Sequence, residues 1–229
     1  MMAVDGVVLV HGSNLSAVCW AGVIEHLTAP SVAVDLPGRG SRPADVLSVT
    51  LEDCVQAVIE SADAAGFSRF VLVGHSLGGV VTTETTRRNK GRVAALVYVG
   101  ALVPARGSNA AAIMFGGDLP ASESRTTTED RAKWFFANDM NDEQWAEVWQ
   151  QFVPESPLLW NARVSGYPEG VPVTYVSMTD DVGLPPELAQ QMIANIGAQV
   201  DHVELAAGHI AMVTKPRELA NAINRATSC

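Results

Sequence analysis

The chain has 229 residues, 48% of them apolar and 17% charged, which suits one α/β domain with a large core and excludes a disordered chain. Its formal net charge is −10, and its densest group of cations is the short run at residues 87–90. Without a basic stripe, nucleic acid is not expected as a partner.

Short runs that contain valine recur along the chain, and turns or helical patterns follow them. Runs of this length that are apolar at most positions are typical of strands buried on both faces of a parallel sheet. The predicted strands are residues 7–10, 31–35, 70–73, 93–99, 171–177 and 200–205.

Helical patterns fill most of the stretches between these strands, at residues 15–27, 51–65, 77–88, 186–196 and 216–226. Thr50 and Asp53 have the spacing of a capping box at the start of the second helix. Pro186 and Pro216 stand in first turns, where the missing N–H costs nothing. The alternation predicts a doubly wound, mainly parallel sheet of about six strands flanked by helices.

The alternation stops between residues 104 and 170, a stretch with four of the five tryptophans and no convincing strand. It is too long for a loop of a compact domain. We predict a single domain, residues 1–229, in which residues 104–170 form a helical cap inserted after the fourth strand, over the carboxyl ends of the sheet. The cap side chains expected either to line a pocket or to pack on the core are Met114, Phe115, Trp134, Phe135, Phe136, Trp145 and Trp149.

A candidate nucleophile lies between the third strand and the following helix. Residues 74–78 read Gly-His-Ser-Leu-Gly and fit the pattern G-x-S-x-G. A serine at such a strand-to-helix turn has a strained backbone and projects its hydroxyl above the sheet, while the flanking Gly74 and Gly78 allow close approach. Ser76 is therefore the predicted nucleophile.

A serine hydroxyl needs a base, and the chain offers five histidines. His209 follows the last strand in a loop at the carboxyl edge, behind Gly208, which is expected to allow a sharp turn. It is the predicted general base. The other four are assigned to packing, hydrogen-bonding or exposed positions: His11, His26, His75 and His202.

The third member must be a carboxylate that orients the imidazole. The fifth strand ends at the pair Asp180 and Asp181, and we favour Asp181, with Asp180 as the alternative. The stretch after the fourth strand, residues 99–103, has no carboxylate. The backbone amides of Ser13, after the first strand, and Leu77 are the predicted oxyanion hole. The Ser13 hydroxyl either adds a hydrogen bond there or caps the next helix.

These motifs resemble the α/β-hydrolase fold over nearly the whole chain, and the order Ser76, Asp181, His209 is the order of that fold. The chain is similar to the branch that contains plant methylesterases, related bacterial esterases and hydroxynitrile lyases. The sequence Val-Leu-Val-His-Gly at residues 8–12 and the stretch 136–157 support this resemblance. So does the sequence Gly-His-Ile-Ala-Met at residues 208–212, which is similar to the His-x-Ala-Met ending of methylesterases.

The resemblance also separates esterases from lyases. In the lyases of this branch a Thr follows the oxyanion-loop His and a Lys follows the catalytic His, whereas this chain has Gly12 and Ile210. Hydroxynitrile lyase activity is therefore disfavoured. The resemblance implies hydrolysis of a small to medium carboxylic ester, apolar or aromatic, through an acyl-enzyme. A carbon–carbon bond hydrolase, a lactonase, a perhydrolase and a non-catalytic ligand receptor remain alternatives.

The remaining patterns concern cofactors, compartment and assembly. There is no dinucleotide G-x-G-x-x-G, Walker lysine or metal-ligand spacing, so neither cofactor nor metal is expected. Cys19, Cys54 and Cys229 are far apart and are expected to be reduced. The first apolar run is too short for a signal peptide or membrane span, so we expect a cytoplasmic protein without membrane insertion. The oligomeric state stays open, a homodimer included.

Overall fold

The strands form one sheet. The computed structural model describes residues 4–197 and 199–227. The strands in these residues are β1 (Gly6–Val10), β2 (Ser31–Val34), β3 (Phe70–His75), β4 (Val93–Val99), β5 (Val173–Met178) and β6 (Val200–Leu205). All neighbours are parallel, in the order β2-β1-β3-β4-β5-β6. The prediction of a parallel six-stranded sheet is confirmed.

Helices cover both faces of this sheet. They are a 3₁₀ helix (Ala17–Trp20), α1 (Ala21–Ile24), α2 (Leu51–Ala64), α3 (Gly78–Arg88), α4 (Ala110–Phe115), α5 (Glu129–Phe136), α6 (Asp142–Trp149), α7 (Pro157–Asn161), α8 (Pro186–Ile196), α9 (Ala211–Thr214) and α10 (Pro216–Thr227). Side chains of α2, α3 and α8 share one core with one face of the strands, and those of α1, α9 and α10 share a second core with the other face. Because β1 and β3 are buried on both faces, their residues are apolar at nearly every position.

Strand register brings the loops that contain the predicted site residues to one edge of the sheet. Val10 of β1 pairs with Gly74 of β3, and His75 pairs with Val99 of β4. Met178 pairs with Leu205 where β5 and β6 end together. The loops that follow β1, β3, β5 and β6 therefore start at the same edge of the sheet.

Two of the differences between the predicted and the observed elements have a clear physical cause. Residues 15–27 were expected to be one helix, but they form the 3₁₀ helix and the single turn of α1. Amide hydrogen bonds reach back only three residues there, from Cys19 to Ser16 and from Leu27 to Ile24, each 3.2 Å long, which tightens the turns. Strand β5 begins two residues later than expected, after Pro172, which has no N–H to donate to the ladder.

Helices α4–α7 all lie in the inserted segment, which we define as residues 104–170. Two short backbone hydrogen bonds between Arg125 and Glu155, 2.7 and 2.9 Å long, join its two halves. The Ser156 hydroxyl donates to the Val49 carbonyl at 2.7 Å, and the Glu155 carboxylate forms a buried ion pair with Arg39. The inserted segment is thereby fixed to the connection between β2 and α2.

The cysteine prediction is testable for two of the three residues. Cys19 and Cys54 are buried, unpaired thiols, and burial raises the pKa of both. Cys229 lies outside the described residues. No helix in residues 4–197 and 199–227 has the length and hydropathy needed to cross a membrane.

The capping box at the start of α2 generates a stability prediction. The Thr50 hydroxyl accepts from the Asp53 amide, and the Asp53 carboxylate accepts from the Thr50 amide. Thr50→Ala should lower the free energy of unfolding by about 1 kcal/mol, measured by urea denaturation. Thr128→Ala is the matched control, because Thr128 occupies the same position before α5 without a side-chain cap. Equal losses in both variants would contradict this role.

Candidate active site

Ser76 occupies the turn between β3 and α3, with a left-handed backbone φ of 50°. A Cβ on Gly74 would lie 2.5 Å from Thr82 Oγ1, and one on Gly78 would lie 2.5 Å from the His11 carbonyl oxygen. Both glycines are therefore needed for close packing of strand and helix, as the sequence predicted. A non-glycine residue in this backbone region costs about 1–3 kcal/mol, which the surrounding structure must offset.

Backbone hydrogen bonds hold Ser76 in this conformation. Its amide donates to the Val99 carbonyl at 3.1 Å. Its own carbonyl accepts from the amides of Gly79, at 3.0 Å, and Leu102, at 2.9 Å. The turn is thus fixed by both α3 and the chain that leaves β4, so the hydroxyl has a defined direction.

The structure brings Ser76, His209 and Asp181 together in one hydrogen-bonded chain. His209 Nε2 is 3.0 Å from Ser76 Oγ, and His209 Nδ1 is 2.7 Å from Asp181 Oδ2. The carboxylate only accepts, so Nδ1–H donates to it and Nε2 is left to accept the serine proton. All three residues are buried, at 7% exposure or less. This is the arrangement that nucleophilic catalysis by serine requires.

Asp181, rather than Asp180, contacts His209. Its second oxygen accepts from the amides of Gly183 and Leu184, each at 2.8 Å. Burial raises the pKa of Asp181, but the charge of His209 and these hydrogen bonds outweigh it and hold the pKa below the usual range. The Asp180 side chain is exposed and accepts from the Thr179 hydroxyl. The catalytic role of Asp181 stays a prediction.

His11 and His75 are buried and serve as hydrogen-bonding residues. His11 Nε2 accepts from the Leu36 amide at 3.2 Å, so its Nδ1–H donates to the Gly12 carbonyl at 2.8 Å. His75 Nε2–H donates to the carbonyl of His209 at 2.9 Å and so supports the backbone of the predicted base. Burial, with the nearby charges of Arg39 for His11 and His209 for His75, lowers both pKa values to about 3.

Two neighbouring residues between α5 and α6 hold the loops of the predicted acid and base. The Asp139 carboxylate accepts from the Gly208 amide, at 2.7 Å, and from the Thr214 hydroxyl, at 2.7 Å. Asn138 Nδ2 donates to the Asp180 carbonyl at 2.7 Å. Sequence reasoning missed both residues, because neither belongs to a local motif and their partners are 42 or more positions away.

Gly208 is not needed for a sharp turn, contrary to what the sequence had suggested. Gly208 is not among the glycines with positive φ, so no left-handed turn requires it. A Cβ at Gly208 would instead meet the Asp139 carboxylate and lie 2.7 Å from Asn138 Oδ1. The glycine is needed for space beside the inserted segment.

The two predicted oxyanion donors belong to loops at the same edge of the sheet as the predicted nucleophile. Ser13 follows β1 and lines the same cavity as Ser76, and Leu77 is the residue immediately before α3. In the described part of the chain, neither amide donates to a backbone carbonyl. Their N–H groups are thus available to a bound oxyanion, although the role itself stays a prediction.

Asn14, which the sequence did not single out, fixes the loop after β1, which contains the predicted oxyanion donor Ser13. Asn14 has a left-handed φ of 63°. Its Nδ2 donates to the Val153 carbonyl at 2.7 Å, and its own carbonyl accepts from the Val153 amide at 3.1 Å. The loop after β1 is thereby joined to the inserted segment.

A cavity of about 460 Å³ opens beside Ser76 and His209. Its walls include four of the seven expected cap residues, Met114, Phe115, Phe135 and Phe136, together with Trp160 and Leu102. The other three expected residues do not line it. Trp134 is 66% exposed. Trp145 is buried in the core, and the half-buried Trp149 stacks on it beside Phe152. Within residues 4–197 and 199–227, no cluster of His, Cys, Asp and Glu could hold a metal.

The two neutral histidines make stability depend on pH. An unfolded histidine binds a proton below about pH 6.5, whereas folded His11 and His75 stay neutral down to about 3. The free energy of unfolding should therefore fall with decreasing pH, by up to about 1.4 kcal/mol per unit for each residue. Asp181, whose pKa is lowered by folding, stabilises the protein above its unfolded pKa of 3.8 and loses this stabilisation only below that value, so it does not affect the slope between pH 5 and 7. Urea denaturation at pH 7, 6 and 5 measures the slope.

Histidine variants test which residue causes the pH dependence of the free energy of unfolding. His75→Gln, whose Nε2 replaces the donor to the His209 carbonyl, should reduce the slope by about half. His202→Gln, at an exposed position, is the control and should leave the slope unchanged. An unaltered slope in His75→Gln would show that another group is responsible.

Comparison with known proteins agrees with this fold. Residues 7–222 match the model of the alpha/beta hydrolase family. A pyrethroid hydrolase of Sphingobium wenxiniae is 26% identical over 97% of this chain and 87% of its own length. Methylesterase 7 of Arabidopsis thaliana is 27% identical over 93% of this chain and 92% of its own.

Solved structures share the architecture at low identity. A methylesterase from Arabidopsis superposes with a TM-score of 0.83 at 20% identity, over 97% of this chain and 98% of that one. A pyrethroid hydrolase from Sphingobium faniae gives a TM-score of 0.81 at 24% identity, over 98% of each chain. The family match spans almost the whole sequence. The sheet has six parallel strands, and Ser76 lies at the turn between the third of them and helix α3. The chain therefore belongs to the alpha/beta hydrolase family.

Proposed function

We propose that the chain is a carboxylic ester hydrolase that works through an acyl-enzyme on Ser76. The observation that carries the proposal is the hydrogen-bonded chain from Ser76 through His209 to Asp181 at the wall of a cavity. Relatives named pyrethroid hydrolase and methylesterase, similar over nearly the whole chain, support the same reaction class.

Acylation follows from the orientation of His209. Ser76 Oγ attacks the ester carbonyl carbon while its proton passes to His209 Nε2. Asp181 stabilises the resulting imidazolium through Nδ1–H, and the amides of Ser13 and Leu77 bind the oxyanion. When the tetrahedral intermediate collapses, the bond to the alcohol oxygen breaks and His209 protonates the leaving alcohol.

Deacylation repeats these steps with water. His209 takes a proton from a water molecule, whose oxygen attacks the acyl carbon of the Ser76 ester. Collapse releases the carboxylic acid, and His209 returns the proton to Ser76 Oγ. The same base and oxyanion donors therefore serve both halves of the cycle, and no cofactor is needed.

The inserted segment would serve as the cap of this site within a single domain. It supplies Met114, Phe115, Phe135 and Phe136 to the cavity, which extends to Trp160. Apolar walls of this kind exclude water from the reacting ester and favour an acyl or alcohol part of aromatic or medium apolar character. A volume of about 460 Å³ accommodates such a group.

Two positions argue against cyanohydrin cleavage by this chain. A Cβ on Gly12 would lie 2.7 Å from His75 Nδ1 and 2.8 Å from Ser76 Cβ, which leaves no room for the lyase threonine. Ile210 is completely buried in the core, where a lysine would lose its hydration. Both positions support an esterase over a lyase.

Kinetics with p-nitrophenyl butyrate test the acyl-enzyme. The wild-type protein should give a burst of p-nitrophenol equal to its active sites, and Ser76→Ala should lower kcat by about 10⁴-fold or more. Ser122→Ala, at an exposed position in the inserted segment, is the matched control. Undiminished turnover in Ser76→Ala would refute the proposal, and labelling of Ser76 by a fluorophosphonate with negligible turnover would indicate a receptor instead.

Substitutions of the two adjacent aspartates test which carboxylate supports His209. Asp181→Asn should lower kcat by about 10⁴-fold with little change in KM, because the amide no longer stabilises the imidazolium and favours the wrong tautomer. Asp180→Asn removes the same charge from the neighbouring exposed position and should stay within about twofold of wild type. The reverse pattern would assign the role to Asp180.

A further inference from the structure

The cavity beside Ser76 is cationic although the protein is acidic. The chain has 25 Asp and Glu against 15 Lys and Arg. Two of those arginines, Arg125 and Arg131, line the cavity, and no Asp or Glu of the described residues does so. The local sign of charge is thus opposite to that of the whole molecule, which favours an anionic group inside the cavity.

Arg125 is held against the aromatic wall. Its backbone is fixed by paired hydrogen bonds with Glu155, 2.7 and 2.9 Å long. Its guanidinium carbon lies 4.4 Å from the centroid of the Phe115 ring, and that ring packs edge-on at 5.1 Å from Trp160. This cation–π contact leaves the N–H groups at the guanidinium edge free to donate.

Two carboxylates of the inserted segment, one bonded through its backbone to Arg125 and one two residues before Arg131, have other partners. Glu155 pairs with Arg39 in a fully buried contact, and Glu129 accepts from Trp145 Nε1 at 3.1 Å. Neither cavity arginine forms an ion pair within the described chain. Two cations without a protein counter-charge therefore face the space that a substrate would fill.

We propose that Arg125, assisted by Arg131, binds a carboxylate on the substrate at a distance from the scissile ester. The preferred substrates would then be esters that carry a free carboxylate on an aromatic or medium apolar framework. A planar carboxylate matches the two parallel N–H donors of a guanidinium, so the pair would form two charge-assisted hydrogen bonds. This inference rests on the proposed esterase activity and adds a substrate class to it.

Shape-matched esters provide the test. Monomethyl terephthalate is compared with methyl para-isopropylbenzoate, in which a neutral isopropyl group replaces the carboxylate on the acyl side. Para-carboxyphenyl butyrate is compared with para-isopropylphenyl butyrate, in which the same exchange is made on the alcohol side. For each pair, the measured quantity is the ratio of kcat/KM for the anionic ester to that for the neutral one.

Variants remove or retain the charge. Arg125→Gln should lower the ratio in at least one pair by about tenfold, the factor that one charge-assisted hydrogen bond supplies. Arg131→Gln should lower it less, and Arg125→Lys should keep part of the preference. Arg217→Gln is the control: it removes one charge from an exposed position of α10 and should leave the ratio unchanged. The wild-type ratio should also fall as ionic strength rises.

Binding gives a readout that does not depend on turnover. Calorimetric titration of Ser76→Ala protein with monomethyl terephthalate should show binding that weakens by about tenfold when Arg125→Gln is added. Unchanged binding, together with ratios in Arg125→Gln equal to those of wild type for both ester pairs, would overturn the subsite. Ser76-dependent hydrolysis of neutral esters would then leave the proposed function standing, whereas absence of all ester hydrolysis alongside Arg125-dependent binding would refute only the esterase proposal.

Discussion

The close approach of helix α3 to strands β1 and β3 constrains the rest of the candidate site. Gly74 and Gly78 allow this approach, and Ser76 between them is left with a φ of 50°. An isolated turn would relax from this conformation, so the burial of β1, β3 and α3 in the core must hold it. The same packing points the Ser76 hydroxyl along the carboxyl edge, where the loops after β5 and β6 bring Asp181 and His209 within hydrogen-bond distance.

Burial separates the roles of the histidines. His11 and His75 are enclosed, carry no charge near neutral pH and donate to backbone carbonyls. His209 is equally enclosed but is paired with a carboxylate, which would stabilise a positive charge on its ring. The hydrogen bond from His75 to the His209 carbonyl connects the two groups, so a structural histidine supports the position of the predicted base.

Hydrogen bonds and an ion pair join the inserted segment to the loops at the carboxyl edge of the sheet. Asn14 is bonded in both directions to Val153, and Asp139 accepts from the Gly208 amide. Arg39 and Glu155 add a buried ion pair, whose loss would leave an uncompensated charge. These contacts reach the loops of the predicted oxyanion donor Ser13 and of the predicted base His209, so displacement of the segment would disturb both. The geometry around Ser76 therefore depends on residues far from it in sequence.

The sequence by itself determined the parallel sheet, the turn at Ser76 and the capping box at Thr50, because each follows from a local pattern of apolar, glycine or cap residues. The sequence left two adjacent candidates, Asp180 and Asp181, for the carboxylate that orients the histidine. Only the tertiary structure showed that Asp181 is the one that contacts His209. The sequence also identified the aromatic residues of the inserted segment, but it did not distinguish those that line the cavity from those that pack in the core. Contacts such as Asp139 with Gly208, and the unpaired arginines of the cavity, depend on chain segments brought together by folding, and no local pattern records them.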